Sequence, residues 1–276
     1  MKQQELFPPS RILVATDLGE ASAAAMSVAG YLHERYGAQV HVLHAHHFEP
    51  PVYFSAGQFQ SLTNELTESA RAAEKHVAAE TRKVLGFSPK VKVAEAPPVE
   101  AILSAIRDLN IDLVVMGTHG RGGVQRLWLG SVAERVIRLS PRPVLAVRRG
   151  WPQTGIQSIL CPVNCSETGL QALKYAAATA KVEGARLMVL HSIESAEVPA
   201  ELQAVCDRAR AQSEIEELIV QGEPAKAILE AVRQRSPGLV IMGAERRTTT
   251  LGEFFSSTTE RVMRQAGAPF LVVPRW

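Results

Sequence analysis

The chain repeats itself, and that repeat limits the fold more than any other feature of its 276 residues. Ile12-Leu13-Val14-Ala15-Thr16-Asp17 returns as Ile159-Leu160-Cys161-Pro162-Val163-Asn164, 147 residues later, and Leu43-His44 returns as Leu190-His191 at the same offset. Further along, Leu113-Val114-Val115-Met116-Gly117 returns as Leu239-Val240-Ile241-Met242-Gly243, now at an offset of 126. Glu134-Arg135-Val136 and the closing run Val144-Leu145-Ala146-Val147 keep that second offset. The second copy is therefore 21 residues shorter, and the loss falls after its second strand, where the first copy carries a loop over residues 46–61. Copies of this length are whole domains. Two domains of one fold are expected, residues 1–150 and 151–276, joined near Arg149-Gly150-Trp151-Pro152.

Each copy alternates short apolar runs with longer amphipathic ones. In the first, residues 12–15 read as a strand and residues 21–36 as an alanine-rich helix stopped by Gly37. Residues 40–46 form the next strand, 62–85 a long helix with a solvated outer face, and 91–94 a third strand. Residues 99–109 follow as a helix with Ile102, Ala105, Ile106 and Leu109 on one face. Strand 112–116, helix 131–139 and strand 143–147 complete the copy. Strands separated by helices of this length imply right-handed crossovers. The expected fold is α/β: two tandem doubly wound domains, each a five-stranded parallel sheet with helices on both faces. The closing strands, 144–147 and 270–273, are expected to pair the two domains, because an edge left exposed recruits other chains; a homodimer is a further possibility.

Ligands of such sheets bind beyond the carboxyl ends of the strands, where the winding reverses. That places a pocket at Ala15-Thr16-Asp17, at Ala45-His46 and at Gly117-Thr118-His119-Gly120. The stretch from Val114 to Ser131 opens as a buried strand, breaks into a glycine-rich loop and closes on Gly130-Ser131, just before a helical run. Loop N–H groups and the unpartnered first N–H groups of that helix make a cradle for an anion. The anion is read as the phosphate tail of ATP, its charge compensated by Arg121, Arg126, backbone dipoles and a bound Mg2+. Gly117 and Gly120 would let the backbone take positive φ and approach the ligand closely. Gly130 would keep the helix entrance open, and the Ser131 hydroxyl would add a hydrogen bond. No G-x-x-x-x-G-K-[ST] is present, and Gln125 stands where a dinucleotide fingerprint counted from Gly120 needs glycine. Asp17 is placed to accept from a ribose hydroxyl or an adenine amino group, or to cap the helix that follows. His119 is placed for phosphate contact or for solvent.

In these residues the chain resembles the universal stress protein family, specifically its tandem form with two such domains in one chain. The resemblance rests on the aspartate of Val14-Ala15-Thr16-Asp17, on the spacing of Gly117, Gly120, Gly130 and Ser131, and on the last strand, Pro143-Val144-Leu145-Ala146-Val147. It implies a Rossmann-like universal stress protein fold, ATP binding where the glycine pattern is intact, and a role in stress resistance through nucleotide-dependent regulation. Carried over, Asp17 becomes the adenosine anchor and Gly130-Ser131 the phosphate site. The expected nucleotide contacts are Ala15, Thr16, Asp17, Ala45, His46, Met116, Gly117, His119, Gly120, Arg121, Gly130, Ser131 and Val132. The second copy departs from the pattern: Asn164, Arg246 and Ser256 replace the aspartate and the second and third glycines, leaving Gly243 and Ser257. It is expected not to hold ATP and to serve the first domain as a structural partner.

Composition sets the remaining limits. A net charge of +2, a hydrophobic share of 46% and a charged share of 21% describe an ordinary globular protein. They give no reason to expect nucleic acid or an anionic membrane as partner. No apolar run approaches the roughly 18 residues of a membrane span, and the first residues lack the apolar core of a secretory signal, so a cytoplasmic protein is expected. Cys161, Cys165 and Cys206 form no C-x-x-C pair, which argues against a disulfide framework and a sulfur-rich zinc site. His44 and His46, two apart on one strand face, would suit a metal. Yet His44 recurs as His191, which favours packing, and His46 or His47 better suits the wall of the base or ribose pocket. A Ser131–His119 nucleophilic pair would lack a third group to orient it. No catalytic residue and no metal ligand is assigned. Two other readings stay open: a ligand-free assembly module and a slow ATPase.

Overall fold

The structure, a computed structural model, describes residues 7–45, 56–118, 129–148, 151, 155–164, 166–193, 200–210, 214–244, 246–249, 252–255 and 257–275. The first half runs β1 (Arg11–Thr16), α1 (Glu20–Tyr36), β2 (Gln39–Ala45), α2 (Ala56–Leu85), β3 (Lys90–Ala94), α3 (Pro98–Asp108), β4 (Leu113–Gly117), α4 (Ser131–Leu139) and β5 (Val144–Val147). The second half begins with β6 (Ser158–Val163), α5 (Glu167–Glu183), β7 (Arg186–Ile193), α6 (Ala200–Arg210), β8 (Ile215–Gln221), α7 (Pro224–Arg235) and β9 (Leu239–Gly243). It continues through a hairpin, β10 (Arg246–Thr249) and β11 (Gly252–Phe255), to α8 (Ser257–Gln265) and β12 (Phe270–Val273).

Local chemistry accounts for these bounds. Helix α1 stops because Gly37 takes the left-handed conformation, φ 69°, from which its N–H reaches the His33 carbonyl at 2.8 Å; Gly184 ends α5 the same way. Along the strands, side chains alternate between two buried layers. Ile12 and Val14 enter the core beneath α1, α2, α5 and α6, whereas Leu13 enters the core beneath α3, α4, α7 and α8. Both layers draw residues from both halves, so each layer runs on across the junction between them.

One sheet of ten strands runs through the molecule in the order β3-β2-β1-β4-β5-β12-β9-β6-β7-β8. Within this sheet the strands of each half pair in parallel, and the halves meet at the antiparallel pair β5–β12, with Leu145 opposite Leu271. The expected association of the closing strands is thus present, and it joins the two five-stranded sheets into one. Around this seam Phe7 sits edge-on to Tyr36 and Tyr175, at 5.5 and 6.1 Å between ring centroids. The Tyr31 hydroxyl donates to Glu183 Oε2 at 2.8 Å, and Arg148 Nη2 donates to the Met263 and Arg264 carbonyls at 2.8 and 2.9 Å.

Two features differ from expectation. Helix α2 begins at Ala56, so residues 56–61 are helix and not loop. With 30 residues against 11 in α6, the helix accounts for most of the length difference between the halves. Residues 56–61 contain no proline, and once a helix is nucleated each added residue brings its own hydrogen bond. In the second half, β10 and β11 form an antiparallel ribbon from Arg246↔Phe255 to Thr249↔Gly252, and β11 touches α4 of the first half. Its signal was present in Thr248-Thr249 and Phe254-Phe255, residues that favour extended backbone. Among the described residues no helix is long and apolar enough to cross a membrane.

Candidate functional site

Winding reverses between β1 and β4, which lie parallel from Ile12↔Leu113 to Ala15↔Met116. Beyond their carboxyl ends opens a cavity of about 240 Å³. Its floor is Ala15, Thr16 and Asp17 from the end of β1, Leu43 and Ala45 from β2, and Met116, Gly117 and Thr118 from β4. Pro98 and Ile102 at the start of α3 form one wall; Gly130, Ser131, Val132 and Ala133 at the start of α4 form the other. Nine of the thirteen expected contacts therefore converge: Ala15, Thr16, Asp17, Ala45, Met116, Gly117, Gly130, Ser131 and Val132. The other four, His46, His119, Gly120 and Arg121, lie outside the described residues, as do His47, Arg126, Cys165 and Ser256.

Three helices start at this cavity, and in none does the N-cap residue itself supply a capping side chain. The N-cap residues are Gly19 for α1, Pro97 for α3 and Gly130 for α4. Their positive dipole ends thus converge on one space, which favours an anion there. The chain leaves and re-enters the cavity wall at a fixed point. Gly130 N–H donates to the Thr118 carbonyl at 2.7 Å, and Thr118 N–H donates to Val147 on β5 at 3.1 Å.

Asp17 is the only titratable side chain among the described residues lining the cavity. It is not the helix cap considered from sequence, since Gly19 occupies that position. Instead its Oδ1 accepts from the Gly19 N–H and from the Ser22 hydroxyl, both at 2.9 Å. Leu18, between them, has φ 59°, a left-handed conformation unusual for a branched side chain. Thr16 Oγ1 steadies this turn by accepting from the Leu18 N–H at 3.0 Å. Sequence reasoning missed Ser22 and the apolar walls Leu43, Pro98 and Ile102. Ile102 belonged to the apolar face of helix 99–109, Leu43 lay inside strand 40–46, Pro98 fell just before that helix, and Ser22 was an isolated hydroxyl in an alanine-rich helix.

Gly117 meets a different need from the one expected. It has no positive φ, and a Cβ there would stand 2.6 Å from the Ala21 carbonyl carbon and 2.7 Å from its oxygen. Helix α1 by itself requires this glycine. Gly243 repeats the relation, with a Cβ 2.6 Å from the Thr168 oxygen. His44 likewise has a structural partner: its Nδ1 bonds the Thr16 carbonyl at 2.8 Å, as His191 bonds that of Val163 at 2.9 Å.

The equivalent turn of the second half is built differently. Ser166 caps α5 by accepting from the Gly169 N–H at 3.1 Å, and its hydroxyl donates to Asn164 Oδ1 at 2.6 Å. Pro162, in the place of Ala15, has no N–H to give, and β6 is in register with β9 only at Ile159↔Leu239 and Leu160↔Val240.

A doubly wound sheet duplicated in one chain, with a cleft at the switch point of its first half, defines the class of protein. The model of the universal stress protein family matches residues 9–148 and again 155–274. The chain therefore belongs to the universal stress protein family, as a tandem member with two such domains. It is 36% identical over 96 residues to a universal stress protein of Methanocaldococcus jannaschii, a match that covers 34% of this chain and 59% of that protein. With a universal stress protein of Thermus aquaticus it shares 35% over 139 residues, half of this chain and 97% of the relative. The crystal structure of a universal stress protein from Archaeoglobus fulgidus superposes over 98% of this chain and all of its own, with a TM-score of 0.78 at 24% identity. At that identity the likeness speaks for the fold.

Proposed function

We propose that the first half binds ATP in the cavity beyond β1 and β4, and that binding serves as a regulatory or sensing event in a stress response. The observation that carries this reading is the convergence on one cleft at the switch point of three helix starts whose N-cap residues, Gly19, Pro97 and Gly130, carry no capping side chain. Leu43, Ile102 and Met116 offer flat apolar surface to a base, Asp17 offers an acceptor to a ribose hydroxyl or an amino group, and the start of α4 offers donors to phosphate. A Mg2+ ion would enter on the phosphates, held by their oxygens and water, because the described lining has no carboxylate besides Asp17. ATP bound in this way would link the start of α4, through its phosphates, to the turn at Asp17, through a donor on its ribose or base. The second half, with Asn164 in place of the aspartate and a capped α5, serves as structural partner.

Equilibrium dialysis with labelled ATP tests the reading. Wild-type protein is expected to take up one nucleotide per chain, and Gly130→Leu, which places a side chain at the entrance of α4, is expected to abolish uptake. No uptake at millimolar ATP, or unchanged uptake by the variant, overturns it.

A further inference from the structure

We infer that Gly19 and Ser22 are positioning residues that hold the Asp17 carboxylate in one orientation, so that it reads a hydrogen-bond donor on the bound nucleotide. The inference rests on the nucleotide site proposed above. Ser22 is buried at the first turn of α1 and carries a single hydroxyl proton. Two acceptors lie 2.9 Å from its oxygen, Asp17 Oδ1 and the Gly19 carbonyl. The Gly19 carbonyl already accepts the Ala23 N–H at 3.0 Å, so the proton goes to the carboxylate, where the bond is charge-assisted. Thr16 Oγ1 donates in turn to Ser22 Oγ at 3.1 Å, which completes a relay from the end of β1 to Asp17.

Gly19 acts by what it lacks. A Cβ there would stand 2.9 Å from Oδ1 and 3.2 Å from Oδ2 of Asp17. The first carboxylate oxygen thus lies over the glycine, receiving its N–H, in space that any side chain would take. The φ of Gly19, −88°, is open to all residues, so backbone conformation does not explain the glycine.

The second half supplies the contrast. There the serine and the glycine have exchanged places: Ser166 stands at the position of Gly19, and Gly169 at that of Ser22. Val163 replaces Thr16, and Asn164 replaces Asp17. A Cβ at residue 169 would lie 2.4 Å from Asn164 Oδ1, so the amide has folded into the space that a serine fills in the first half. The serine then caps its helix, a role that α1 forgoes. All four positions of the relay change together between the halves, which separates holding a carboxylate from starting a helix.

A held acceptor discriminates, because a ligand lacking the matching donor forfeits a charge-assisted hydrogen bond for which the fixed carboxylate is already oriented; an acceptor free to turn toward water discriminates little. The test measures calorimetric affinities of wild type, Ser22→Ala and Gly19→Ala for ATP, 2′-deoxy-ATP, 3′-deoxy-ATP and purine riboside triphosphate, alongside their melting temperatures. Wild type is expected to disfavour one of the three analogues. Both variants are expected to lose about tenfold of that preference while melting within a few degrees of wild type. A purely structural role weakens all four ligands alike, and unchanged preference ratios overturn the inference. So does a wild type that binds all four equally. A wild type that takes up none of them sinks the nucleotide site itself.

Discussion

Gly117 at the end of β4 and Ala21 in the first turn of α1 approach so closely that a single methyl group on the glycine would overlap the Ala21 carbonyl. The first turn of α1 also carries Ser22, and through it the orientation of Asp17. Overpacking of this kind typically costs about 1–3 kcal/mol, and the contact here is to backbone, which yields little. Gly117→Ala is therefore expected to lower stability by about 2–3 kcal/mol in urea titrations. Gly243→Ala, which meets Thr168 in the same way, is expected to cost a similar amount although it lies in the half without the intact glycine pattern. A loss confined to Gly117→Ala would mean that the glycine answers to something other than the helix.

That pair also shows what was legible in the sequence. The alternation of strand and helix and the stop at Gly37 follow from patterns within a few residues, the two halves and the seam between closing strands from the repeat, and the structure has them. The cavity was placed correctly because strand order fixes it. Hidden in the sequence was the contact of Gly117 with α1: a glycine that admits a helix and a glycine that admits a phosphate look the same in one dimension. Its recurrence as Gly243 beside Arg246 was the available clue, since a feature kept by both halves belongs to the fold. The role of Asp17 as an acceptor inside its own turn depended on Ser22, five residues away, and on an absent side chain at Gly19. Neither leaves a periodic signature.

The two cysteines among the described residues, Cys161 and Cys206, are expected to be inert at neutral pH. Cys161 is fully buried on β6, and burial pushes its thiol far above the ordinary value; Cys206 on α6, also buried, is pushed up to about 11. Because the thiolate is the reactive form, both should resist alkylation. Iodoacetamide at pH 8 followed by peptide mass mapping is expected to leave Cys161 and Cys206 unmodified in the native protein and to label both in urea. Native labelling of either at the rate of a free thiol would contradict the burial described.

Arg148, just beyond β5, closes the end of a helix in the other half. Its Nη2 donates to the carbonyls of Met263 and Arg264 in the last turn of α8, where a cation also meets the negative end of the dipole. Arg148→Met keeps the apolar stem and removes the donors, at an expected cost of about 1–3 kcal/mol. The loss should be local. The Ala266 amide, bonded to Val262 at 2.8 Å, is expected to exchange its hydrogen faster while amides of β1 keep their protection. Uniform acceleration across the sheet would instead indicate that Arg148 supports the whole seam.

Alkaline pH should weaken the same seam from its other face. Burial pushes the Tyr31 hydroxyl up to about 12, helped by its hydrogen bond to Glu183 and by that carboxylate's charge. The folded state therefore prefers the neutral phenol more strongly than the unfolded chain does. The stabilisation is complete below the ordinary value of about 10, declines as pH rises toward 12, and is gone above it. Tyr31→Phe removes the donor to Glu183 and is expected to cost about 1 kcal/mol at pH 8. It also removes the titrating group, so the gap between wild type and variant should narrow steadily from pH 10 to pH 12. Urea midpoints of the two proteins across that interval decide the matter: a gap that stays constant would show that the Tyr31 proton contributes nothing to holding α1 against α5.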